Sequence, residues 1–135
     1  MEYIPFVKPN YGSIEENQIL TSFRQGRLEG DGPYTKKVHE FFEKRYNCPK
    51  VLFTNSGTDA LELSALLLDL KPGDEVIVPS YTFSSTANAF ALGGAKIVFA
   101  DSCKNSPNIC VKSIAQKITN KTKAIVPVYY AGFSC

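Results

Sequence analysis

The sequence predicts an α/β fold: a mostly parallel sheet covered by helices. Four short runs rich in β-branched residues alternate with helical stretches, the βαβα pattern of strands joined by crossover helices. Those runs are near-continuously apolar, as strands buried on both faces should be. A hydrophobic share of 44% with 21% charged residues is ordinary for a packed domain and argues against disorder. The 135 residues suffice for about one domain.

Residues 1–12 read as an extended arm broken by Pro5, Pro9 and Gly12. Ser13-Ile14-Glu15-Glu16 then fits a capping box, with Ser13 as N-cap and Glu16 reaching back. The helix it opens is expected to reach about Arg24 and stop at Gly26. Gly30-Asp31-Gly32-Pro33 is a loop by residue type. A second helix is predicted over 34–46, where Val38, Phe41, Phe42 and Tyr46 share one face. Residues 1–47 thus form an N-terminal arm with two helices, outside the alternation. Residues 48–135 hold the α/β unit.

In that unit residues 51–54 are the first predicted strand, broken by Asn55-Ser56-Gly57-Thr58. Residues 59–70 read as a helix apolar on nearly every side, hence buried. Lys71-Pro72-Gly73-Asp74 is a turn, and 75–79 is the second strand. A helix over 84–92 ends at Gly93-Gly94, and 96–100 is the third strand. A helix over 111–118 leads to the last strand, 124–128.

Fifteen Lys+Arg against thirteen Asp+Glu leave a net charge of +2, too balanced to suggest a nucleic-acid-binding protein. No apolar run approaches the roughly 18 residues of a membrane span, and Met1 to Pro5 opens no secretion signal. Cys48, Cys103, Cys110 and Cys135 form no CxxC pair and are joined by a single histidine, His39, so no metal site is expected. The cysteines read as free thiols; a Cys103–Cys110 bridge is compatible with their separation alone. The expectation is a soluble, cytoplasmic protein.

Ligands of open α/β sheets bind beyond the carboxyl ends of the strands. Three segments fall there. In the first, Thr54 to Asp59, a helix N-terminus offers unpaired N–H groups, Gly57 permits close approach of an anion, and Ser56 and Thr58 add hydroxyls. This is either a phosphate cup or a helix cap made by Ser56 or Thr58. It is neither a GxGxxG fingerprint nor a P-loop. In the second, Pro79 to Thr86, Tyr81 and Phe83 are either ring-stacking partners for a flat ligand or core aromatics. In the third, Tyr129 and Tyr130 precede Gly132 and either line a pocket or pack a loop. A planar phosphorylated cofactor satisfies all three together, and pyridoxal 5'-phosphate is such a molecule.

Four motifs carry a resemblance. Leu28-Glu29-Gly30-Asp31-Gly32-Pro33-Tyr34-Thr35, Asn55-Ser56-Gly57-Thr58-Asp59-Ala60-Leu61, the stretch from Pro72 to Phe83, and Pro127-Val128-Tyr129-Tyr130-Ala131-Gly132 resemble, in order and spacing, the N-terminal part of sugar-nucleotide aminotransferases of the DegT/DnrJ/EryC/StrS type. The stretches from Ser84 to Phe90 and from Gly94 to Phe99 resemble the branch that makes 4-amino-4,6-dideoxy sugars for enterobacterial common antigen, lipopolysaccharide and related surface polysaccharides. The resemblance implies an incomplete large domain of the PLP-dependent transferase fold-type I, with 48–135 as its cofactor-binding part. It implies transfer of an amino group, from glutamate, to the 4-keto carbon of a nucleotide-linked 6-deoxy sugar, by a homodimer. It assigns the cofactor phosphate to Ser56, Gly57 and Thr58, the cofactor ring to Phe83, and the sugar-nucleotide pocket to Gly30, Asp31, Gly32, Tyr34 and Tyr130. Tyr129 stands where many relatives have histidine.

The resemblance puts the aspartate that pairs with the pyridinium nitrogen, and the lysine that forms the Schiff base, in segments outside these 135 residues. A lysine that takes that role must be near the cofactor and partly desolvated. Lys50, Lys71, Lys96, Lys112, Lys117, Lys121 and Lys123 all sit before or along strands or around the last helix. The chain alone is therefore expected to be inactive. The alternative is a non-catalytic fragment that associates with a second half. The family's topology also leaves the run 51–54 without its neighbour and 124–128 as an exposed apolar edge.

Overall fold

The computed structural model describes residues 3–5, 7–26 and 28–135. The chain forms two compact units, residues 1–53 and 54–135.

The first unit holds two helices, α1 (Ser13–Arg24) and α2 (Pro33–Tyr46). The cap of α1 lies one residue earlier than the sequence suggests. Gly12 is the N-cap, and Glu15, not Glu16, reaches back to accept its N–H at 2.8 Å. That bond holds the Glu15 carboxyl below its ordinary range. Pro33 takes the first position of α2, where its missing N–H costs nothing and its fixed φ suits the helix.

Residues 51–54 are not a strand. A strand exists only through its ladder, and no other backbone pairs with this run among the described residues. Side chains of α2 stand in for the missing neighbour. Val51 N–H donates to Glu43 Oε1 and Phe53 N–H to His39 Nε2, both at 3.1 Å.

The second unit runs α3 (Gly57–Leu67), β1 (Glu75–Pro79), α4 (Ser85–Leu92), β2 (Lys96–Ala100), α5 (Val111–Ala115) and β3 (Thr122–Ile125). The three strands are parallel, in the order β2-β1-β3. Every residue of the central β1 is buried. Its alternation sorts the core. Val76 and Val78 pack with Ala65 of α3 and with Ala89 and Phe90 of α4. Ile77 packs with Ala100 and Ile109, against Ile114 of α5. The sheet is thus covered on both faces at its centre.

Three element expectations need correction. Helix α3 is not buried all round: Ala65 is its one buried residue, and Leu66 and Leu67 are 75% and 76% exposed. It stops at Leu68 because Asp69 turns to a left-handed φ of 49°. Helix α5 is five residues long rather than eight. Strand β3 starts at Thr122 and ends at Ile125, not Val128. Val126 N–H still donates to Ile77, but Pro127 has no N–H to continue the ladder.

Candidate functional site

Helix α3 begins where a tight loop ends. Thr54 Oγ1 donates to the Ser56 carbonyl at 2.8 Å, and Ser56 Oγ accepts from Asp59 N–H at 3.1 Å. Ser56 is therefore the N-cap, its side chain engaged by the helix itself. The N–H groups of Gly57 and Thr58 have no acceptor among the described residues. A Cβ built on Gly57 meets nothing within 4 Å. The helix thus has two donors without an acceptor among the described residues at its positive dipole end. That arrangement fits a phosphate group.

The segment past β1 starts with Ser80, whose N–H donates to the Ala100 carbonyl at 2.9 Å. Tyr81 and Phe83 follow, and neither is a core residue: they are 51% and 75% exposed. Thr82 and Thr86 share a hydroxyl–hydroxyl bond of 2.9 Å, which fixes the entry to α4. Phe83 is left with its ring open to solvent, available for stacking.

The segment past β3 turns through Tyr130–Gly132, with Ala131 at φ 52° and Gly132 at φ 81°. This turn brings Tyr130 onto Tyr81. The rings lie 4.6 Å apart, and the Tyr81 hydroxyl donates to that of Tyr130 at 3.1 Å. The Tyr130 hydroxyl, by accepting that bond and then repelling a second phenolate, pushes the Tyr81 phenol above its ordinary value. Tyr129 is exposed.

Gly30, Asp31, Gly32 and Tyr34 belong to the first unit. Asp31 takes a left-handed φ of 59°. The Tyr34 hydroxyl donates to Gln18 at 2.5 Å, and the Lys37 ammonium lies 5.4 Å from its ring centroid. Gly32, Pro33 and Tyr34 line a shallow cavity with Leu28 and Glu29.

Two residues escape sequence reasoning. Lys104 lies past the carboxyl end of β2 and is exposed, so it lacks the desolvation that makes a lysine nucleophilic. Asn108 is 5% exposed and binds backbone 22 to 26 residues away. No local pattern signals partners at that distance. The cysteines are free thiols, Cys103 and Cys135 exposed and Cys48 and Cys110 half-buried. No metal-binding cluster occurs among the described residues, and no helix there is long and apolar enough to cross a membrane.

A three-stranded parallel sheet covered by helices, with an open helix N-terminus and exposed aromatic rings past β1, defines the class of α/β proteins. The chain belongs to the DegT/DnrJ/EryC1/StrS aminotransferase family, which it matches over residues 10–135. It is 35% identical over 135 residues to the GDP-perosamine synthase of Escherichia coli O157:H7, covering 100% of this chain and 37% of that protein. An aminotransferase structure from Psychrobacter cryohalolentis superposes with a TM-score of 0.88 at 31% identity, covering 97% of this chain and 34% of that one. The GDP-4-keto-6-deoxy-D-mannose-3-dehydratase of E. coli, solved with bound hydrated PLP, superposes with a TM-score of 0.82 at 27% identity, covering 94% and 34%. The chain therefore spans about a third of the length of these relatives. Its α/β sheet is that of a fold-type I fragment.

Proposed function

We propose that these residues are the cofactor- and substrate-facing part of a PLP-dependent aminotransferase acting on a nucleotide-linked 4-keto-6-deoxy sugar. The observation that carries this reading is that the N–H groups of Gly57 and Thr58 have no acceptor among the described residues, with open space where a Cβ of Gly57 would stand. In this reading they hold the phosphate of pyridoxal 5'-phosphate, with the Thr58 hydroxyl as a third donor. Ser56 shapes the cup through its cap rather than by touching the phosphate. The exposed ring of Phe83 covers one face of the cofactor ring. Tyr130, held against Tyr81, borders the sugar nucleotide, and the family resemblance assigns Gly30, Asp31, Gly32 and Tyr34 to the same substrate. The bound cofactor supplies an electron sink for amino-group transfer. The chain's own residues bind, orient and shield it.

Glutamate as amino donor, a homodimeric enzyme and a cytoplasmic role in surface-polysaccharide synthesis complete the proposal. Among the relatives, a perosamine synthase and a 3-dehydratase handle GDP-linked sugars, which supports a nucleotide sugar as substrate. Residues 1–135 alone do not transaminate in this reading. Lys104, which lies past the carboxyl end of β2, is exposed to solvent. Exposed Leu66 and Leu67 on α3 favour the companion reading, in which the chain acts only when joined to further polypeptide.

The test is equilibrium dialysis of PLP against the chain, followed by assay with a dTDP- or GDP-4-keto-6-deoxy sugar and glutamate. The assay is run with and without a polypeptide supplying the remaining two thirds of a relative. Expected are PLP binding that Thr58→Val weakens, and amino-sugar formation only in the mixture. PLP binding indifferent to residues 56–58, or turnover by the chain alone, overturns the reading.

A further inference from the structure

The turn that carries Tyr130 is closed by its own backbone, with Gly132 N–H donating to the Tyr129 carbonyl and Phe133 N–H to the Tyr130 carbonyl, both at 3.1 Å, and is tied to the loop after β2 by a side chain. Ala131 and Gly132 both have positive φ, a conformation that L-residues rarely adopt. A buried side chain spans the turn. Asn108 Oδ1 accepts the Tyr130 N–H at 3.2 Å, and its Nδ2 donates to the carbonyls of Phe133 and Ser134, both at 2.9 Å. Three of the four hydrogen bonds open to an asparagine side chain are thus spent on backbone at both ends of one turn.

Asn108 is itself fixed. Its N–H donates to Ser106 Oγ at 3.2 Å, and its carbonyl accepts the Cys103 N–H at 3.0 Å. Ser102 pairs with Ile109 in an antiparallel bridge and donates its hydroxyl to the Pro107 carbonyl at 2.9 Å. The loop after β2 is a rigid mount for one amide. Without that amide the Tyr130 N–H keeps only the Val128 carbonyl at 3.0 Å, the Phe133 and Ser134 carbonyls lose their side-chain donor, and the turn loses its tie to the loop after β2.

We propose that Asn108 is a positioning residue: it clamps the 130–134 turn from the loop after β2, and so sets the Tyr130 ring against Tyr81 at the rim of the substrate site. It touches neither phenol and acts through the backbone of Tyr130. The part about the substrate rim rests on the functional reading above. The clamp itself does not.

The test uses Asn108→Ala and Asn108→Asp in the 135-residue chain, read by ultraviolet titration of the phenols and by deuterium exchange at the Tyr130 N–H. Asp keeps an acceptor for Tyr130 but sets a carboxylate against two carbonyls, so it should not rescue. Expected in both variants are exchange at least tenfold faster at Tyr130 and loss of the high-pH phenol step that Tyr130→Phe also removes. Unchanged exchange and titration in a folded variant overturn the clamp. Should neither variant fold, the wild type decides: Asn108 Nδ2 protons protected from exchange support it, and free exchange overturns it. None of these readouts needs cofactor or substrate, so the functional reading can fail without touching them. In the complemented enzyme the expected effect is a raised KM for the sugar nucleotide with PLP affinity unchanged. Equal loss of PLP affinity would make Asn108 a general structural residue and overturn its positioning role.

Discussion

Glu75 and Lys96 open neighbouring parallel strands as register partners, and their side chains form an ion pair of 3.0 Å. The two ends differ: the Glu75 side chain is 8% exposed and that of Lys96 70%. Glu75 also accepts from the Thr119 hydroxyl at 2.7 Å, and its N–H donates to the Lys121 carbonyl at 2.8 Å. One residue thus ties together the amino-terminal ends of all three strands.

That arrangement gives the fold an acid limit. The Thr119 hydroxyl, followed by the Lys96 ammonium, holds the Glu75 carboxyl below its ordinary value. A carboxyl depressed in the folded state contributes stability above its unfolded pKa. That stability is lost as pH falls through the folded pKa. Melting temperature should therefore fall on acidification below the ordinary carboxyl range. Glu75→Gln should be less stable than wild type at neutral pH and converge on it in acid. Parallel pH profiles for the two proteins would exclude the assignment.

Gly93 and Gly94 end α4 for different physical reasons. Gly93 has an ordinary φ of −71°, but a Cβ there would lie 3.3 Å from Ala65 Cβ, from Leu70 Cδ1 and from the Phe90 carbonyl. Gly94 has open space but a φ of 97°. Gly93→Ala should cost about 1–3 kcal/mol by overpacking, and Gly94→Ala about 1–2 kcal/mol by backbone strain. Leu70→Val should recover part of the first loss and none of the second. Denaturant unfolding of the two double variants separates the mechanisms.

The elements legible in the sequence are those whose cause is local. The run 75–79 is a strand because three consecutive β-branched residues, Val76, Ile77 and Val78, lie between a Pro-Gly-Asp turn and the Ser80 loop. The pair Gly93-Gly94 stops α4 as read. The run 51–54 has the same apolar character and is no strand, because pairing is a property of a neighbour and not of the run. Helix α3 misleads for the same reason. Its leucines declare apolarity, and only the packing partners decide that Ala65 is buried while Leu66 and Leu67 are not. The helix start at Gly57 and the exposure of the aromatics past β1 follow from local turn and loop residues. The role of Asn108 does not, since its partners lie more than twenty residues away.

Ser56 and Thr58 should separate stability from binding. Ser56 Oγ is the cap of α3, so Ser56→Ala should cost about 1 kcal/mol of stability. Thr58 Oγ1 has no partner among the described residues, and Thr58→Val should leave unfolding almost unchanged. If the cup takes the cofactor phosphate, Thr58→Val removes a hydrogen bond to a charged group, worth about 1.5–3 kcal/mol, and PLP affinity should drop tenfold or more. Chemical denaturation and PLP titration on the same two variants give the comparison. Equal PLP affinity in wild type and Thr58→Val removes the hydroxyl from the site.

Cys103 and Cys110 should titrate apart, because each shifts the other in the opposite direction. The N–H of Ser113, then the Cys103 thiol, then the N–H of Lys112 stabilise the Cys110 thiolate and lower its pKa. Cys103 is raised, chiefly because its proton is engaged by Cys110. Exposure runs the other way, with Cys103 exposed and Cys110 half-buried. Alkylation governed by access would favour Cys103, and alkylation governed by thiolate population favours Cys110. With a small neutral reagent such as iodoacetamide, access is a minor barrier, so Cys110 should be labelled first and with the lower pH midpoint. Cys103→Ala should move that midpoint up by removing one donor. Peptide mapping after timed labelling across pH reads both effects, and coincident profiles for the two cysteines would show that their thiols do not share a proton in solution.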